Sequence, residues 1–230
     1  MISLHNLSFS VAVLLSSLIT MLCSKAPNST PRGGWNQDRL GFYATPAAAF
    51  LRRLMAGGIG LVHAFIVLKT PSTSLVCPHP DNLNWQLFDW NPYTVVCLFL
   101  IICVGGPLRL LAFAQLGGNF TFRLGPPSTL TTTSIYHFMQ HPGYTGQIIV
   151  LLTNLALYFR WDGEPGCWLP ESVHQRLDGW GFLCAVIITF GIVRRLLIRT
   201  KDEEEMLRKT FGAEWIKWHQ STKRFIPGVI

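Results

Sequence analysis

Five apolar stretches, each close to the length that crosses a bilayer, constrain this chain more than anything else in it. They run from Leu4 to Cys23, from about Ala47 to Leu68 (with Arg52 and Arg53 near its start), and from Tyr93 to about Phe113, around Gly105-Gly106-Pro107. The fourth, Tyr144 to Phe159, is the shortest, and the fifth is Trp180 to Ile198. A hydrocarbon core about 30 Å thick takes about 20 apolar residues in a helix. Its backbone groups have no water to bond, so the segments must satisfy them internally. The expected fold is all-α: an integral membrane bundle of about five transmembrane helices. Charged residues make up only 13% of the chain, against about 25% in a typical soluble domain. That balance argues against a soluble globular enzyme and a disordered chain. A net charge of +7 could suggest nucleic acid, but no nucleic-acid partner is expected, because the charges sit at the ends of the apolar stretches.

Charge placement gives the topology. Nine of the 19 Lys and Arg fall between Arg194 and Arg224, which reads the C-terminus as cytoplasmic. Alternating the loops across five spans puts 16 basic and 6 acidic residues on that side, and 3 basic and 6 acidic on the other. The first stretch has no basic n-region and is long for a signal peptide, so it is read as a retained span. Sequons occur at Asn6, Asn28 and Asn119; this topology predicts that none is glycosylated. Cys77 and Cys167 fall in the two loops assigned to the lumen, where a disulfide can persist. The other four cysteines read as apolar packing. His5, His63, His79, His174 and His219 are isolated, with no metal-ligand spacing, and no metal site is expected.

Polar residues concentrate in the second half, in three segments. The first is Leu116-Gly117-Gly118-Asn119-Phe120-Thr121-Phe122. The second is Tyr136 to Gly146, containing His141-Pro142-Gly143-Tyr144. The third is Arg199 to Trp218. Proline favours the first turn of a helix, so His141-Pro142 marks a helix start, whose free N–H groups can hold a carboxylate. Gly143 and Gly146 allow close approach of a ligand or a neighbouring helix. Arg199 and Glu203 share a helix face at i, i+4, although Glu203 also fits a capping box with Thr200. Leu207, Phe211, Trp215 and Trp218 form an apolar stripe that reads as a C-terminal amphipathic cytoplasmic helix in the headgroup region.

In order and spacing these segments resemble the isoprenylcysteine carboxyl methyltransferase family. That family shows Leu-Gly-x-x-Phe-Thr-Phe, then Tyr-x-x-x-x-His-Pro-x-Tyr-x-Gly, then Arg-x-x-x-Glu-Glu-x-x-Leu-x-x-x-Phe-Gly, and closes on an aromatic basic tail. Here these are Leu116 to Phe122, Tyr136 to Gly146, Arg199 to Gly212, and the tail Trp215, Trp218, Arg224, Ile226 and Pro227. The resemblance covers about Leu108 to Pro227. It divides the chain into residues 1–107, three spans with a Pro-rich cytoplasmic loop at 24–46, and residues 108–230, a methyltransferase core. The chain departs from the pattern at Gln140, where many relatives carry Arg.

The resemblance implies a site for S-adenosylmethionine. By position, the cofactor contacts fall on Ser128, Thr129, Leu130, Thr131, Tyr136, His141, Pro142, Gly143, Tyr144 and Glu203. Arg199 would bind the substrate carboxylate and carry the catalytic role. The implied reaction is methyl transfer to the C-terminal carboxylate of a prenylated cysteine, with prenylated C-a-a-X-type proteins as substrates presented at the lipid bilayer. An endoplasmic reticulum location goes with it. Two alternatives stay open: a membrane methyltransferase of a phospholipid amine or small molecule, and a membrane NADPH-dependent reductase.

Overall fold

The computed structural model describes residues 3–25, 27–28, 45–69, 76–120 and 124–226. Most of the loop at 24–46, together with Thr121, Phe122, Arg123 and Pro227, lies outside the described residues. Helix is the only extended secondary structure among the residues described. Helix α1 spans Leu4–Cys23 and is capped by Ser3, whose side chain accepts the Asn6 N–H. Helix α2 (Pro46–Lys69) returns beside it, tied by Asn6 Nδ2 donating to the Val67 carbonyl and Ser10 Oγ to that of Ala64. Helix α3 (Pro92–Phe99) opens on Asn91 in a capping box with Thr94. It continues through a π-helical segment, Leu100–Gly105, into α4, Gly106–Leu116. Pro107 lacks an N–H and would break an α-helical ladder at this point; the π segment lets the span run on.

A short helix α5 (Ile135–Phe138) precedes α6, Pro142–Tyr158. Helix α7 runs unbroken from Glu171 to Phe211 over 41 residues, about 60 Å at 1.5 Å per residue. It outruns any bilayer core, and its C-terminal turns project over one end of the bundle. Helix α8 (Ala213–Ser221) follows after Gly212, which takes φ of 52° at the turn.

Four helical segments are long and apolar enough to cross a membrane: Leu4–Cys23, Pro46–Lys69, Pro92–Asn119 and Trp180–Phe211. The chain is thus a multi-pass membrane protein. The fourth expected span is shorter than the rest. Helix α6 has 17 residues, about 25 Å, yet it connects the same two ends as its neighbours. Protein on its flanks makes that length tolerable: Gly146 lies so close to α4 that a Cβ there would come 2.7 Å from the Arg109 nitrogen and the Gly105 carbonyl oxygen. The second glycine of the motif therefore serves a neighbouring helix. Large apolar side chains stay exposed on the outer faces, among them Leu18, Leu54, Phe182, Ile187 and Phe190, as lipid contact requires.

The bundle has two polar ends. At one, Cys77 and Cys167 are joined in a disulfide across 90 residues of sequence. A disulfide between the loop after α2 and the loop after α6 places both on the same side, as the alternating topology expects. Arg160 grips Asp162 with two hydrogen bonds of 2.7 and 2.6 Å. Burial alone would raise the Asp162 carboxyl, but hydrogen bonds from Arg160 and Asn84 hold it below its ordinary range. Beneath this cap sits the main core, including Phe9, Ile66, Leu87, Ile101 and Leu157. His63 is buried there between Glu164 (Nδ1 to Oε1, 3.0 Å) and the Leu87 carbonyl (3.1 Å), so this histidine is not isolated. The other end holds the motif residues. The side-chain amides of all three sequon asparagines donate hydrogen bonds within the fold: Asn6 to Val67, Asn28 to the Gly117 and Phe120 carbonyls, and Asn119 to Thr129.

A candidate active site at the motif end

The site is built where the last turns of α4, the start of α6 and the upper part of α7 converge. His141 opens α6, with Pro142 in the first turn, as the sequence predicts. The open set of N–H groups expected there is reduced, because Pro142 has no N–H and the Tyr144 amide donates to the His141 carbonyl at 3.1 Å. The His141 ring turns to α7 and meets Glu204, Nε2 to Oε1 at 3.2 Å. Glu204 also receives two hydrogen bonds from Arg224, at 2.8 and 2.9 Å. The segment around Arg224 lies beside the His-Pro segment: the Gln140 and His141 amides donate to the Lys223 and Arg224 carbonyls at 2.8 and 2.9 Å. Thr145 Oγ1 donates to Phe225 O at 3.1 Å. Gln140 spends its side-chain amide on the same segment, donating to the carbonyls of His219 and Thr222, with His219 Nδ1 2.8 Å from its Oε1. Burial lowers the His219 imidazole below its ordinary range.

Within this frame lies a cavity of about 100 Å³. Its polar side is a relay: Arg199 Nε donates to the Tyr144 hydroxyl (2.8 Å), which donates to Glu203 Oε2 (2.7 Å). The tyrosine sits between the two residues that the sequence placed on one helix face. The capping-box alternative for Glu203 fails, because α7 is continuous there and Thr200 Oγ1 bonds back to the Leu196 carbonyl at 3.0 Å. Tyr136 forms the floor, with its own carbonyl held by Trp218 Nε1 at 3.0 Å. Burial, and then the nearby Glu203 charge, push the Tyr136 phenol above its ordinary range.

The opposite wall is apolar, formed by Leu124, Leu130, Met206 and Leu207 with Trp218. The apolar stripe expected to lie in the headgroup region faces protein instead. Leu207 and Trp215 are buried with Leu124 and Met206, and Leu130, Phe211 and Trp218 pack against them. The stripe turns inward because α7 and α8 have their own loop to cover.

Of the residues singled out in the sequence, Thr129, Leu130, Thr131, Tyr136, His141, Gly143, Tyr144, Arg199 and Glu203 all line the cavity. Ser128 and Pro142 do not. Ser128 is turned away, its N–H and hydroxyl both donating to Asn119 Oδ1 at 3.1 and 3.0 Å. Pro142 is buried in the first turn of α6. The structure adds Arg109, read in the sequence only as a topological charge, and Gln140 and Trp218, which no local pattern marks as lining. Among the described residues, no cluster of three His, Cys, Asp or Glu side chains could hold a metal ion.

Fold and site together define a class: a multi-span helical membrane protein with an Arg-Tyr-Glu relay in a half-apolar cavity at one end. A sequence model of the isoprenylcysteine carboxyl methyltransferase (ICMT) family matches residues 96–162. The chain is 21% identical over 151 residues to a protein-S-isoprenylcysteine O-methyltransferase from Rattus norvegicus, covering 64% of this chain and 46% of the relative. It is 22% identical over 151 residues to a protein of the same name from Homo sapiens, with the same coverage. The chain therefore spans about half the length of the curated relatives it matches. No solved structure matches. The family match takes in the first two motifs, Leu116 to Phe122 and Tyr136 to Gly146, and ends before Arg199.

Proposed function

We propose that this chain transfers a methyl group from S-adenosylmethionine to the C-terminal carboxylate of a prenylated cysteine at a membrane surface. The observation that carries this reading is the relay across the cavity. Arg199, Tyr144 and Glu203, taken from two separate motifs, meet within hydrogen-bond distance against an apolar wall.

The residues present suit the methyl donor. Glu203 offers a carboxylate for its ammonium or ribose hydroxyls. Tyr136, Gly143 and the 129–131 segment offer a narrow, partly apolar lining. Bound there, the donor would supply an activated methyl on a sulfonium. The acceptor carboxylate is already ionised at neutral pH, so no strong general base is required. Arg199 would orient that carboxylate, and the Tyr144 hydroxyl fixes the guanidinium that does so. Such positioning supplies several kcal/mol, up to about 7–11 in ideal cases. The apolar wall excludes water, which otherwise blunts a solvated carboxylate. The exposed apolar flanks of the bundle suit an acceptor carrying a lipid, worth about 0.8 kcal/mol per buried CH₂. Prenylated C-a-a-X-type proteins at the endoplasmic reticulum fit this reading, with the motif end and its basic residues facing the cytoplasm.

The test uses membranes expressing the full chain, labelled S-adenosylmethionine and N-acetyl-S-farnesylcysteine. Base-labile label above control membranes is the expected result. Label that is base-stable and follows the lipid fraction would instead assign a phospholipid amine as the acceptor. No label and no donor binding would reject a methyltransferase.

A further inference from the structure

The cavity holds a second cation that the relay does not use. Arg109 lies two turns inside the end of α4 and is 7% exposed. An arginine at that depth is costly unless it is paired or functional. Its pairing is incomplete. Nη1 donates to the Gly143 carbonyl at 2.9 Å, and the guanidinium lies 4.4 Å from the centre of the Phe113 ring and 5.4 Å from that of Phe120. Its Nε is buried with no hydrogen-bond partner. Two ring faces and one carbonyl stabilise the charge without neutralising it. Gly143 makes room for the group: a Cβ there would stand 3.1 Å from Nη1. The neighbouring Gln140 cannot take an anion in its place, because its amide is committed to the tail.

We propose that Arg109 is a carboxylate-binding residue of this cavity, acting beside Arg199 on a second ligand carboxylate. The inference rests on the function proposed above. In that reaction two carboxylates reach the pocket, one on the prenylcysteine and one on the amino-acid end of the methyl donor, and the cavity presents two arginines. A planar guanidinium with an unused N–H suits either one.

The test measures affinities of the purified full chain in lipid nanodiscs for two matched pairs. The first is N-acetyl-S-farnesylcysteine and its methyl ester. The second is S-adenosylhomocysteine and its decarboxylated analogue. Wild-type protein should prefer the acid in each pair. Arg109→Met should reduce that preference by about 10- to 100-fold in one pair while the neutral ligand binds as before. The pair affected identifies the carboxylate. Gly143→Ala, which keeps the arginine but displaces it, should shift the same pair in the same direction by a smaller factor. It also decides the matter if Arg109→Met fails to bind even the neutral ligands. Both preferences staying within about twofold of wild type would overturn the role of Arg109 and leave the methyltransferase reading intact. A wild-type protein that binds no member of either pair removes both.

Discussion

Each end of this molecule buries a histidine against a glutamate, and the two pairs are built differently. At the disulfide end, His63 Nε2 faces a carbonyl, which only accepts, so Nε2 must carry a proton. In a neutral ring Nδ1 is then an acceptor, with Glu164 as its donor. Burial pushes the Glu164 carboxyl up to about 9, in keeping with a protonated acid there. At the motif end, Glu204 meets a histidine as well, but Arg224 adds two charge-assisted hydrogen bonds. One pair is closed over a packed core, and burial pushes its acid toward the neutral form. The other is charged, ties the tail to the His-Pro segment, and borders a cavity. A buried neutral pair suits a cap, whereas a charged cluster with room beside it suits chemistry on ions.

The largest expected effect lies at the motif end. Arg199→Ala should lower methyl transfer by on the order of 100-fold with donor affinity little changed; steady-state assays and donor titrations separate the two. Glu204→Ala comes next. It leaves His141 and Arg224 without their anion and should cost roughly 2–4 kcal/mol, toward the low side because Arg224 is half-exposed. Thermal unfolding in detergent would show the loss, and protease sensitivity of the tail would show where it falls.

The cap should respond in the opposite way. The raised Glu164 value favours the acid in the folded state, so its contribution is full below the unfolded carboxyl value near 4.5 and is lost as pH rises through about 9. Glu164→Gln keeps a donor toward His63 and removes the titration. Melting temperatures from pH 5 to 9 should fall for wild type and stay flatter for the variant; parallel curves would mean that the pair is an ion pair after all. Reducing the Cys77–Cys167 bridge should cost about 2 kcal/mol, less than chain entropy alone suggests for a 90-residue separation, because the bilayer already holds both loops on one side. Donor binding should not change. The smallest effect belongs to Lys209→Ala, which touches an exposed i, i+4 pair with Glu205 and should move stability by under about 0.5 kcal/mol.

The legibility of the chain follows the same division. Hydropathy marks the spans because lipid exposure is a property of each segment alone, and His141-Pro142 marks a helix start because capping is local. The sequence also places Cys77 and Cys167 on one side, through loop parity. What it misses depends on residues distant in sequence. Arg109 reads as a topological charge until α6 brings the Gly143 carbonyl against it. Gln140 reads as a lost cation until residues 219–224 pair with it. His63 and Glu164, 101 residues apart, share no pattern. The aromatic stripe of α7 and α8 reads as headgroup contact because its periodicity does not say which surface covers it. Ser128 stays out of the cavity lining for the reverse reason: nearby Asn119 captures it locally.

The most direct test runs three membranes in parallel: wild type, Arg199→Ala and Glu164→Gln. Each receives labelled S-adenosylmethionine and N-acetyl-S-farnesylcysteine, and base-labile methyl is counted. Strong label in wild type, near-background label in Arg199→Ala and wild-type label in Glu164→Gln are expected at pH 7. Equal label in wild type and Arg199→Ala, or loss of label in Glu164→Gln alone, would contradict the assignment of chemistry to the motif end.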